Sequence, residues 1–277
     1  MRRVRFLVVA IAVLSLLFGC VGVTQKGTLT TSPVSPILED IVHKGELVVG
    51  TAGNMPPLNM TTKEGEVIRL EIDMAELIAE AMGVKLKVVT MLFADLLPAL
   101  DAGEVDMVIS GMTITPGRNL KVAFVGPYFI SGKAVLTKID TIAAAKNAEN
   151  IEHPDLTVAA LKGSTSQYFV EAVLPDAKLV TTKNYDDAVD MVRQGKVHAM
   201  VADFPICVVS VFRYPEDGLL SVITPLTYEP LGIAIPRRDF HFVNWLRNFL
   251  DTLDGSGQLD ELREIWIEDA SWLLRLP

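Results

Sequence analysis

The densest set of groups able to hold a small ion in this chain is Ser110-Gly-Met-Thr-Ile-Thr-Pro-Gly-Arg118. Arg118 is its one permanent charge, and Ser110, Thr113 and Thr115 add hydroxyls beside the backbone N–H groups of the segment, that of Gly111 among them. A guanidinium grips a carboxylate through two parallel hydrogen bonds, which a lysine ammonium cannot do. The segment follows Asp106-Met-Val-Ile109, a short apolar run that reads as a buried strand. Its polar residues therefore arrive where a strand ends, the place where open α/β sheets bind ligands. Taken alone, the motif also fits a surface loop whose arginine sits in a solvated ion pair.

The surrounding pattern is one of strands alternating with helices. Glu46–Thr51 is an apolar strand, followed by the proline-broken loop Ala52-Gly-Asn-Met-Pro-Pro-Leu58. Asp73 can cap a helix whose face carries Met74, Leu77, Ile78, Ala81 and Met82 and which Gly83 closes. Val84, Leu86 and Val88 alternate with lysines as a half-exposed strand. Phe93 precedes a helix over 95–102 that Gly103 stops. This order implies βαβ units and a parallel sheet. After a compositional break at 139–150 the pattern restarts, with a strand at 156–161, a tight Lys162-Gly-Ser-Thr165 loop and a new helix. The stretch 100–109 is echoed by 192–201, each a helix end, a glycine stop and a buried strand. Arg118 follows the first of these strands and Asp203 the second, so opposite charges stand at equivalent strand ends.

The Ser110–Arg118 segment resembles the "SGMTIT..R" signature of the family 3 periplasmic solute-binding proteins, the amino-acid receptors of ABC importers. Phe124-Val-Gly-Pro-Tyr128 is similar to that family's "FS.PY" continuation, Arg69-Leu-Glu-Ile-Asp73 to its "GfdvD" with the glycine lost, and Leu226–Pro236 to its "epyGiav". The tail to Trp266 is similar as well, so the resemblance spans about 44–268. It implies an α/β, two-lobed, periplasmic-binding-protein-like fold of type II, with lobe one at 44–133 plus 230–277, lobe two at 134–229, and the ligand between them. By the same resemblance Arg118, Ser110, Gly111 and Thr113 hold a ligand carboxylate together with Ser164 and Thr165, and Asp203 takes its α-ammonium. Phe93 stacks on the ligand, Met55 replaces an aromatic of the "yPPf" loop, and Glu229 sits at the cleft edge. For Phe93 a core position, and for Ser164, Thr165 and Asp203 a helix-capping role, are the alternatives.

The function implied is capture of an amino acid for a membrane permease. Receptors for basic amino acids carry an acid just after the first strand, where this chain has Ala52, so a neutral amino acid is expected. A cyclohexadienyl or arogenate dehydratase, with Glu229 as its carboxylate, and a sensory receptor are the other readings. No metal-ligand or nucleophile spacing occurs among His43, His153, His198 and His241, so no catalytic residue, metal or cofactor is expected.

The N-terminus is a lipoprotein export signal in pattern: the basic Met1–Arg5, an apolar run from Phe6 to Phe18, and Leu17-Phe-Gly-Cys20 as a lipobox. The run is shorter than the roughly 20 residues that span a bilayer, although an uncleaved anchor is a second reading. Cleavage before Cys20 leaves a lipidated chain, a tether over 20–43 rich in threonine, serine and proline, and periplasmic or cell-surface anchorage. It also removes three arginines and no acid, so the formal charge of −9 becomes more negative, which argues against nucleic acid as a partner. With Cys20 acylated, Cys207 has no partner and reads as a core residue of a monomer.

Overall fold

A computed structural model describes residues 35–268, apart from 146, 148–150, 152–154 and 223–224. The predicted leader over 1–19, the Cys20 lipidation site and most of the predicted tether lie outside the described residues. The strands are β1 (Glu46–Thr51), β2 (Asn54–Met55), β3 (Asn59–Thr61), β4 (Val67–Ile68), β5 (Lys85–Thr90), β6 (Met107–Val108), β7 (Ala123–Ser131), β8 (Lys133–Thr137), β9 (Thr157–Leu161), β10 (Lys178–Thr182), β11 (Ala199–Asp203), β12 (Leu220–Ser221) and β13 (Glu229–Ile235).

They form two five-stranded sheets, ordered β5-β1-β6-β13-β7 and β10-β9-β11-β8-β12, and a small antiparallel sheet β2-β3-β4. In the first, β1 runs parallel to β5 and β6; in the second, β9 runs parallel to β10 and β11. The expected parallel βαβ core is thus joined by antiparallel strands: β13 is antiparallel to β6 and β7, and β8 is antiparallel to β11 and β12. These are the strands that carry the chain between sheets without a crossover helix, so nothing turns them parallel. Helices Pro36–Lys44, Leu70–Met82, Leu96–Ala102 and Phe240–Gly255 pack on the first sheet, and Thr165–Val173, Tyr185–Arg193 and Phe204–Arg213 on the second. Covered on both faces, β8 and β11 are buried at every position, which is why their sequences do not alternate. Cys207 lies in the second core, and burial pushes its thiol pKa up.

Two local readings change. The tether ends before 43, since Pro36–Lys44 is a helix whose Ile41 is fully buried. It is held by Asp239, whose carboxylate accepts from Ser35 Oγ at 2.8 Å, Ile37 N at 3.0 Å and Phe242 N at 2.9 Å. Asp73 is no cap: the helix begins at Leu70, and Asp73 accepts from Trp266 Nε1 at 2.6 Å. At the position where the family signature has its glycine, Arg69 is buried with φ 116°, a backbone region that favours glycine, and its guanidinium lies 4.6 Å from the Trp266 ring centre.

The chain crosses between sheets at Gly132, from β7 into β8, and returns at 225–228 into β13. The two crossings touch: Leu226 N donates to Lys133 O at 2.7 Å, and Lys133 N donates to Thr227 Oγ1 at 2.9 Å. A Cβ on Gly132 would lie 2.3 Å from Thr227 O and 2.4 Å from Pro225 Cβ, so only glycine fits where the strands cross.

Candidate functional site

Arg118 is presented by the short helix Pro116–Asn119, which starts where Pro116 fixes φ and Thr115 Oγ1 accepts from Arg118 N at 3.2 Å. Its side chain turns back into the cleft. Nη1 donates to Thr113 O at 2.9 Å on its own side, and Nη2 donates to Gly163 O at 3.1 Å in the loop after β9. The guanidinium carbon lies 5.6 Å from the Phe93 ring centre. Burial pulls the guanidinium pKa down, while Tyr168, Asp203 and Glu229 push it back; it stays charged because its ordinary value is so high. A cavity of about 1010 Å³ opens here, with Phe93, Leu97, Met112, Arg118, Thr165 and Tyr168 in its walls.

Across the cleft, Thr113 Oγ1 lies 3.2 Å from Thr165 Oγ1, which donates to Glu229 Oε2 at 3.1 Å. Thr165 therefore faces the cleft as the first residue of its helix. Its neighbour Ser164 is the cap, accepting from Gln167 N at 3.2 Å and donating to Leu161 O at 2.7 Å. Asp203 occupies an N-cap position but makes no side-chain cap bond. Its Oδ1 accepts instead from Lys133 Nζ and Ser131 Oγ, each at 3.2 Å, and Tyr185 OH lies 3.4 Å from Oδ2. Lys133 Nζ also lies 3.6 Å from Glu229 Oε2, and Glu229 Oε1 accepts from Thr227 Oγ1 at 3.1 Å.

Arg118, Thr113, Thr165, Phe93, Asp203 and Glu229 are thus linked through one continuous set of contacts. Ser110, Gly111 and Met55 lie together behind it. Ser110 Oγ accepts from Ala52 N at 2.9 Å and lies 3.7 Å from Met55 Sδ. Gly111 has φ 53°, and a Cβ there would meet Met55 Cε at 2.5 Å. Gly111 N donates at 2.6 Å to Glu71, a fully buried carboxyl that also takes Asn59 Nδ2 at 2.6 Å and the Tyr128 hydroxyl. Burial raises the Glu71 pKa, and these three bonds offset part of the rise.

Lys133, fully buried between two carboxylates, was missed by sequence reasoning. The signal available was a lysine placed directly before Ala134-Val-Leu136, an otherwise apolar start to a strand.

Two helix-flanked mixed sheets joined by crossed strands, with a polar cleft between them, are the architecture of a two-lobed protein of the periplasmic-binding type. The chain belongs to the bacterial extracellular solute-binding proteins, family 3, whose sequence profile matches residues 47–269. It is 27% identical over 264 residues to cyclohexadienyl dehydratase of Pseudomonas aeruginosa, covering 95% of each chain. It is 26% identical over 259 residues to the arginine-binding periplasmic protein of Mannheimia haemolytica, covering 92% of this chain and 97% of the relative. A lysine-complexed putative binding component of an ABC transporter from Wolinella succinogenes superposes with a TM-score of 0.79 at 38% identity, over 83% of this chain and 99% of the other.

Proposed function

We propose that this protein is the extracytoplasmic receptor of an ABC importer, which closes its two lobes on a neutral L-amino acid and presents it to the permease. The observation that carries this reading is the pairing of opposite charges in one cleft. Arg118 has N–H groups left over beyond its bonds to Thr113 and Gly163, and the carboxylates of Asp203 and Glu229 stand on the far side of Thr165. A zwitterion spans such a site, its carboxylate on the guanidinium and its ammonium on the acids. Thr113, Ser164 and Thr165 support the carboxylate end, Phe93 covers it, and Ser110, Gly111 and Met55 shape the loop. The lobes are 44–133 plus 230–277 and 134–229, hinged at Gly132 and 225–228. A ligand touching both favours the closed form by the difference in its contacts.

The side-chain subsite is read as neutral because Ala52 follows β1, where receptors for basic amino acids carry an acid, and because Phe93, Leu97 and Met112 are among the cavity walls, which Asp101, Lys121 and Arg237 also line. A buried cationic side chain without a counter-charge costs several kcal/mol. Export with lipidation at Cys20, a tether and a monomeric state complete the proposal. Thermal-shift and calorimetric screening of the mature domain against the common amino acids tests it, since a ligand that binds only the folded state raises apparent stability. A response to neutral amino acids is expected; displacement of all of them by arginine, lysine or glutamate would overturn the neutral reading.

The similarity to a dehydratase over nearly the whole chain favours a second reading, catalysis on prephenate or arogenate in the same cleft. Depletion of either compound in an absorbance assay distinguishes an enzyme from a receptor, which only binds.

A further inference from the structure

We propose that Lys133 is a specificity-determining residue, a built-in counter-ion that sets the net charge of the ligand this cleft accepts. The inference rests on the reading of the cleft as an amino-acid site and adds the residue that decides the charge class.

Two strand registers create the arrangement. In the second sheet, β8 pairs with β11 so that Lys133 stands opposite Asp203. In the first, β7 pairs with β13 so that Ser131 stands opposite Glu229. Only Gly132 separates Ser131 from Lys133, so the junction of the two sheets brings both carboxylates to one ammonium. Lys133 Nζ lies 3.2 Å from Asp203 and 3.6 Å from Glu229. The lysine cannot swing out to solvent: its side chain is 1% exposed, its N–H is held by Thr227, and its carbonyl by Leu226.

The consequence follows from counting charges. Asp203 and Glu229 alone would present two negative charges at the ammonium end of the cleft, enough for a ligand carrying two cations. Lys133 cancels one of them. The remaining negative charge matches a single α-ammonium, while Arg118 matches the α-carboxylate. Asp203 Oδ2, met among the described residues only by the Tyr185 hydroxyl at 3.4 Å, is the acceptor left for that ammonium. Glu71 is not available to a second cation, since it is sealed beneath Gly111 with its oxygens taken by Gly111 N, Asn59 Nδ2 and the Tyr128 hydroxyl. Charges buried this closely are weakly screened, so removing one alters the preference among ligands of different charge.

The experiment measures the ratio of dissociation constants for L-lysine and L-glutamine by calorimetry in the wild type, Lys133→Gln, Glu229→Gln and the double variant. Lys133→Gln is expected to shift the ratio toward L-lysine at least tenfold, Glu229→Gln to shift it the opposite way, and the double variant, with the net charge restored, to return toward the wild type. Should Lys133→Gln fail to fold, leaving two carboxylates side by side, the shift in Glu229→Gln and its reversal in the double variant carry the test. An unchanged ratio, or a loss of affinity equal for both ligands, would overturn the proposal while leaving the amino-acid reading intact. A wild type that binds no amino acid at all would remove that reading, and the proposal with it.

Discussion

Replacing Arg118 by alanine separates its role in binding from its role in the fold. The side chain makes two hydrogen bonds, to Thr113 O and Gly163 O, both to carbonyls at the wall of an open cavity. Water can reach those carbonyls once the guanidinium is gone, so each lost bond should cost folding no more than the low end of the roughly 1.5 to 3 kcal/mol typical of a hydrogen bond made by a charged group. Binding is affected differently. A ligand carboxylate drawn into the cleft would be left without its charge partner, and truncating one member of such a buried pair costs about 2 to 5 kcal/mol. At about 1.4 kcal/mol per factor of ten, affinity should fall from roughly 30-fold to several thousand-fold. Arg118→Lys should recover only part, because an ammonium keeps the charge but loses the fork. Calorimetric titration with the amino acid that gives the largest thermal shift, on protein whose circular dichroism matches the wild type, supplies the number. A folded alanine variant whose affinity drops less than tenfold would refute the assignment of the carboxylate to Arg118.

Asp239→Asn should lower stability at neutral pH by about 2 kcal/mol, the scale of a charged acceptor losing its donors, and the melting midpoint by about 4 to 8 °C. Burial pushes this carboxyl up, but Phe242, Ser35, Ile37 and Leu38 together hold its pKa below the ordinary 3.8. Its contribution is therefore present above about pH 3.8 and lost as pH falls through the lower folded value, so urea titrations from pH 6 to pH 2 should show the two proteins converging in acid. Gly132→Ala forces a methyl against Thr227 O and Pro225. It should cost about 1 to 3 kcal/mol by overpacking and weaken ligand-driven closure, seen as a smaller change in radius of gyration on ligand addition. Mass spectrometry of membrane-extracted protein should find a chain beginning at Cys20 with added acyl mass; an intact Met1 terminus would exclude lipidation.

The elements that depend on neighbours in sequence were legible. Gly83 and Gly103 end their helices with φ of 70° and 75°, and the stretches 46–51, 156–161 and 199–201 became inner strands around the apolar cores Leu47–Val49, Val158–Leu161 and Ala199–Val201. Arg118 stood out because its motif is local. What escaped was set by contacts between distant residues. Lys133 and Asp203 are 70 positions apart, and their pairing depends on an antiparallel register that no periodicity announces. Asp73 looks like a cap until Trp266, 193 positions away, claims it. Helix Pro36–Lys44 resembled a tether because its exposed residues outnumber its single fully buried one, and because its anchor, Asp239, lies 204 positions from Ser35.

The attachment of Ser35 to Asp239 also fixes a mechanical frame of reference. Helix Pro36–Lys44 packs on β1 and on helix Phe240–Gly255, both on the first sheet's side of the Gly132 hinge. Whatever the N-terminal side of the chain is fastened to is therefore coupled to that lobe. On the proposed reading, an anchor upstream of Ser35 would pull on the first lobe alone, and the second lobe would be carried by it through Gly132 and 225–228.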